Sequence, residues 1–124
     1  MKLLRCVVVA VAVAGPSLAV LAQAREPDIS GYYNEKGDEF TKITRSGDVY
    51  QYLQHSKAGD WIGVAIREDD HLTIGWHRSD GRNLGVSSYR IQRGSSGPTL
   101  VGGWAAYPGG RVVQDTLSWS RKPD

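Results

Sequence analysis

Seven turns divide the chain, and they constrain its fold more than any other feature. They are Glu35-Lys36-Gly37-Asp38, Ser46-Gly47-Asp48, Lys57-Ala58-Gly59-Asp60, Glu68-Asp69-Asp70, Ser79-Asp80-Gly81, Gly94-Ser95-Ser96-Gly97-Pro98 and Pro108-Gly109-Gly110. Glycine supplies positive φ in such turns without a Cβ clash, and Asp and Ser bond their own backbone. Their recurrence, roughly every 8–14 residues, is the rhythm of hairpins in a sandwich or barrel. Eight strand-like segments lie between and around them: 29–34, 39–45, 49–55, 61–67, 71–78, 84–93, 99–107 and 112–121. None sustains the i, i+3, i+4 apolar recurrence of an amphipathic helix. Connections this short make sequence neighbours pair antiparallel. An eight-strand meander that closes, strand one beside strand eight, has no exposed edge. The expected fold is therefore all-β, a single antiparallel eight-stranded up-and-down barrel, favoured over an open sandwich. A barrel of that size has an interior that is either filled or holds one small ligand.

Two segments share the motif L-x-x-G-W: Leu72-Thr73-Ile74-Gly75-Trp76 and Leu100-Val101-Gly102-Gly103-Trp104. Both are rich in β-branched and aromatic residues, as strands are. Period-two alternation puts Leu72, Ile74 and Trp76 on one face, and His71, Thr73, Gly75 and His77 on the other. In the second, Leu100, Gly102, Trp104 and Ala106 share a face. Two strands delivering a Trp to one interior agree with a closed barrel. In the last segment Val113, Asp115, Leu117 and Trp119 share the face that reads as inward. A carboxylate there must find a partner or shift its pKa. Asp115 is then part of an internal salt bridge or wet barrel end, or a pocket acceptor for a ligand N–H. Tyr50 and Tyr52 also share a face, inward or outward.

The N-terminus reads as a leader. Met1-Lys2-Leu3-Leu4-Arg5 is basic, residues 6–14 are apolar, and Gly15-Pro16-Ser17 break the run before the small-x-small site Ala22-Gln23-Ala24. This is the order of a secretory signal peptide, residues 1–24, leaving 25–124 as the mature domain. The apolar run is shorter than the roughly 20 residues a spanning helix needs. The expected location is secreted or periplasmic, with no membrane association after cleavage. Lys2 and Arg5 leave with the leader, so Lys plus Arg falls from 15 to 13, equal to the 13 Asp plus Glu. A domain of zero formal charge has no electrostatic case for nucleic acid. Cys6 leaves as well, so the fold rests on packing without a disulfide. The remaining length allows one domain with one core.

Metal and catalytic signals are weak. His71 and His77 lie on one face, but six residues of strand separate them by roughly 20 Å, too far to share an ion. Glu68-Asp69-Asp70 lacks the alternating ligand-Gly pattern of a calcium loop. Gly94-Ser95-Ser96-Gly97 is not G-x-S-x-G, and no helix follows it. No metal, cofactor or catalytic residue is expected.

The order of features resembles the avidin-type barrel, within the lipocalin-like (calycin) class. The opening Gly31-Tyr32-Tyr33-Asn34-Glu35-Lys36-Gly37-Asp38, the aromatic Trp76, the step Ser87-Ser88-Tyr89, Trp104 and the step Asp115-Thr116-Leu117 carry the likeness along nearly the whole mature chain. It implies that Asn34 contacts a ureido-like group, that Trp76 and Trp104 wall a pocket, and that Asp115 accepts an N–H at its base. The chain departs from the family where a donor Ser is matched by Asp38, since an ionised carboxylate has no proton to donate. Its loop between strands seven and eight is also short and has no Trp to close a neighbour's pocket. The resemblance therefore implies the barrel more strongly than biotin binding.

The expected role is non-enzymatic binding of a small-molecule ligand in the barrel mouth. Asn34, Tyr50, Trp76, Ser88, Trp104 and Asp115 are the expected contacts. The rival role is a secreted interaction or inhibitor module that works through its loops, with a filled barrel. An enzyme using Asp115 is a third. Cavity size separates the first two, and oligomeric state stays open. The leader itself yields a test: exported protein should begin at or near Arg25 and lack Cys6. Intact-mass measurement reads this directly, and a mass retaining Cys6 would contradict it.

Overall fold

The structure, a computed structural model, describes residues 27–124; the expected signal peptide, residues 1–24, lies outside the described residues. Eight strands follow in order: β1 (Gly31–Lys36), β2 (Glu39–Ser46), β3 (Val49–Ser56), β4 (Gly59–Glu68), β5 (His71–Arg78), β6 (Gly85–Arg93), β7 (Pro98–Ala106) and β8 (Val113–Arg121). Each pairs antiparallel with the next, and β1 pairs with β8 to close the barrel. The closed antiparallel barrel is compatible with a calycin-like fold. The first strand begins later than the sequence pattern implies. Asp28 Oδ1 accepts from both the backbone N–H (3.0 Å) and the hydroxyl (2.8 Å) of Ser30, making a local turn. Ser30 Oγ then accepts from the Arg45 N–H at 2.9 Å, which docks that turn on β2.

Closure is the thinnest part of the sheet. Only Tyr32↔Arg121 and Tyr33↔Trp119 pair along the β1–β8 seam, with a register shift between them. Asn34 extends the seam with its side chain. Its Nδ2 donates to the Thr116 carbonyl at 3.0 Å, and its Oδ1 accepts from the Ser118 N–H at 2.8 Å. The Asn34 backbone is left-handed, with φ at 52°, a conformation Asn tolerates better than most residues.

Alternation along the strands separates a buried interior from an exposed exterior. The outward residues of β4 include Val64 and Ile66, which are 58% and 57% exposed. The interior is filled at the end where the chain enters β1. There Ile29, Tyr33, Ile43, Tyr50, Leu72, Ile91, Leu100 and Leu117 belong to one buried cluster. The Tyr33 hydroxyl donates to the Ile29 carbonyl at 2.6 Å, tying the incoming segment across the floor. Trp119 lies edge-on to Tyr33, with ring centroids 5.6 Å apart. The opposite end carries the β1–β2, β3–β4, β5–β6 and β7–β8 turns and opens into a cavity.

The seam generates a prediction. Asn34→Ala loses two hydrogen bonds and strains the left-handed backbone, so it should destabilise by about 2–3 kcal/mol. Asn34→Gly keeps the conformation and should lose only about 1–2 kcal/mol. Urea unfolding measures both. Losses under about 0.5 kcal/mol for both would show that closure does not depend on this side chain.

Candidate functional site

The open end holds a cavity of about 490 Å³ lined by Tyr52, Gln54, Trp61, Trp76, Asn83, Ser87, Tyr89, Trp104, Ala106 and Asp115. Register explains how these residues converge. Gly63, Trp76, Gly85 and Ala106 form one row across β4 to β7. Small residues on either side of Trp76 leave its indole room to lie across the sheet. A Cβ at Gly85 would fall 2.2 Å from that ring. The Trp76 Nε1–H donates to Ser87 Oγ at 2.8 Å, fixing the ring's orientation. Trp104 meets it edge-to-face, with centroids 6.2 Å apart and planes at 70°. This is a favoured aromatic geometry.

A second row runs Leu72, Tyr89, Gly102 and Asp115 across β5 to β8. Gly102 is the gap in that row. The Tyr89 hydroxyl reaches past it to donate to Asp115 Oδ2 at 2.7 Å, joining β6 to β8 over the intervening strand. A Cβ on Gly102 would sit 1.9 Å from the Ser88 carbonyl oxygen, so only glycine fits this backbone. Beside this pair, the Tyr52 hydroxyl donates to Gln54 Oε1 at 2.8 Å.

Burial holds the Tyr89 phenol proton far above the ordinary phenol range, and the hydrogen bond to Asp115 adds to this. Burial likewise raises Tyr52, helped by the Asp115 charge. Burial also raises Tyr33 at the closed end, with the Asp28 charge adding to it.

Asp115 is the one charged residue on the lining, and it is half-buried. Among the described residues no Lys, Arg or His forms an ion pair with it. The basic side chains of the rim are occupied elsewhere. Arg78 lies 5.8 Å from the Trp61 ring centroid, sits 3.4 Å from Asp80, and donates to the Ala58 carbonyl at 2.8 Å. His55 Nδ1 lies 2.5 Å from Asp60 Oδ1.

Three of the six expected contacts, Trp76, Trp104 and Asp115, meet on the cavity. The other three do not. Asn34 is exposed and spends its amide on the β8 backbone, because it shares strand parity with Tyr32 rather than with the inward Tyr33. Ser88 is exposed because Ser87 and Tyr89 take the inward positions of β6; the inward hydroxyl is Ser87. Tyr50 points inward, but it sits in the core cluster rather than on the cavity. Asp38 stands exposed in the β1–β2 turn and does not line the cavity.

The six expected contacts do not include Tyr52, Gln54, Trp61, Ser87 or Tyr89, all of which line the cavity. The alternation Ser87, Tyr89, Ile91 against Ser88, Arg90, Gln92 carried the missing signal for β6. Searches of protein-family models, curated proteins and solved structures find no match to the chain.

The buried phenols set an alkaline limit on stability. Tyr33, Tyr52 and Tyr89 keep their protons in the native state beyond the pH at which unfolded tyrosines, with pKa about 10, release theirs. The native state therefore binds more protons above that pH, and stability falls as pH rises. The three together should lower it by about 3–4 kcal/mol between pH 9 and pH 11. Urea melts across this range, beside absorbance titration of the phenols, measure it. Titration of every tyrosine in one native step near pH 10 would contradict the burial.

Proposed function

We propose that this chain is an exported, non-enzymatic barrel that binds a small ligand in its open mouth. The observation that carries this reading is the cavity of about 490 Å³ at one end of the barrel. That volume lies in the range of roughly 300–1,000 Å³ usual for small-molecule sites. Its lining is also of the usual kind, with aromatic walls and a few directed polar groups. The leader-like residues 1–24 support export, and the order of Trp76, Trp104 and Asp115 supports a likeness to avidin-type barrels. The contacts differ from that family's pattern, however, since Asn34, Ser88 and Asp38 stand away from the cavity. Biotin is therefore not the expected ligand.

Intrinsic fluorescence of the four tryptophans, titrated with cationic, neutral and anionic metabolites and with biotin, tests the reading. A saturable change is expected with at least one metabolite and not with biotin. Trp104→Ala should weaken it at least about tenfold. Half-buried Trp104 should also cost less stability than Trp76, whose replacement by Ala should cost about 3–5 kcal/mol. No saturable response to any metabolite would favour the rival reading, a secreted interaction or inhibitor module that works through its loops.

A further inference from the structure

We propose that the mouth is built for a monovalent organic cation: an amine with a compact apolar body, its N–H on Asp115 and its body against Trp76 and Trp104. The proposal rests on the mouth-binding reading above and adds the chemical class of the ligand.

The charge balance of the lining points to this class. Asp115 is its only carboxylate, and no basic residue lines the cavity. One carboxylate oxygen, Oδ2, accepts from Tyr89. Among the described residues Oδ1 has no hydrogen-bond donor and no ion-pair partner. A carboxylate only accepts, so its complement is an N–H or O–H donor, and a cation most of all.

The surrounding donors reinforce the preference. The Tyr52 proton is committed to Gln54, the Tyr89 proton to Asp115 and the Trp76 N–H to Ser87. None of these three protons is left to donate to a ligand, which suits a ligand that itself donates. The indoles of Trp61, Trp76 and Trp104 line the cavity, and aromatic rings of this kind attract cations. Arg78 at the rim is compensated by Asp80 and does not oppose one.

A single carboxylate sets the charge at one, because a dication would leave its second charge without a partner. It also favours an organic cation over a metal ion. No group of three metal-ligating acids, histidines or cysteines occurs among the described residues.

The test compares three probes of one shape by calorimetry: phenethylamine, 2-phenylethanol and phenylacetate. The amine should bind at least about tenfold more tightly than the alcohol, as for a charge-assisted hydrogen bond, with the acid weakest. Asp115→Asn should abolish the gap between amine and alcohol while leaving alcohol affinity within about threefold. The wild-type series decides the charge preference without any variant, so it stands even if Asp115→Asn folds poorly. Alcohol binding as tight as amine binding would overturn the cation proposal and leave mouth binding intact. An undiminished gap in Asp115→Asn would remove Asp115 as the anchor. Failure of all three probes, with an anionic or neutral metabolite binding at Trp104, would overturn the cation alone. Failure of every metabolite as well would overturn the mouth reading itself.

Discussion

Closure of β1 on β8 is the constraint from which the rest of the structure follows. Until the seam forms, the chain is a twisted meander with two open edges and no inside. Once it forms, every second residue of all eight strands faces an enclosed volume, and side-chain size decides what that volume contains. Near the chain's entry the inward positions are large: Ile43, Leu72, Ile91, Leu100 and Leu117 pack against Tyr33 and Tyr50. Towards the other end the rows contain Gly63, Gly85, Ser87, Gly102 and Ala106. The same closure thus produces a floor at one end and a mouth at the other. The backbone pairs on the seam are few, and the Asn34 side chain supplements them.

The mouth is held in shape by interactions between strands that are not neighbours. Tyr89 reaches Asp115 over Gly102, and Trp76 and Trp104 meet across β6. These contacts fix the aromatic walls and one carboxylate oxygen before any ligand arrives. Ordering side chains at an interface costs about 0.5–1.5 kcal/mol each, so walls fixed in advance spare a ligand that cost. Hydrogen bonds also justify the buried polar atoms. No buried side-chain nitrogen or oxygen among the described residues lacks a partner, although unpaired groups of this kind cost about 1–3 kcal/mol. Asp115 Oδ1, on the cavity lining, has no hydrogen-bond donor among the described residues.

Much of the fold was legible because turn chemistry and alternation are local. Gly37, Gly47, Gly81 and Gly109 all adopt positive φ in turns that the sequence marks. Trp76, Trp104 and Asp115 could be placed inside from parity along single strands. Ser88 was misplaced by one residue, and in a strand one residue is the other face. Asn34 follows two tyrosines that are both buried, Tyr32 beneath Arg121 on the outside and Tyr33 within, so burial gives no parity there. Tyr50 and Tyr52 share a face, but only the barrel's depth separates core from cavity. The role of Gly102 was hidden for a different reason. It depends on the register of three strands at once, which no local pattern encodes.

On the proposed reading the aromatic mouth, and not the far end of the barrel, is where a ligand is held. The indole N–H resonances of the four tryptophans report on this separately, because Trp61, Trp76 and Trp104 line the mouth while Trp119 packs on Tyr33 at the closed end. Heteronuclear NMR of labelled protein titrated with phenethylamine should shift the first three and leave Trp119 in place. A shift confined to Trp119 would contradict this reading.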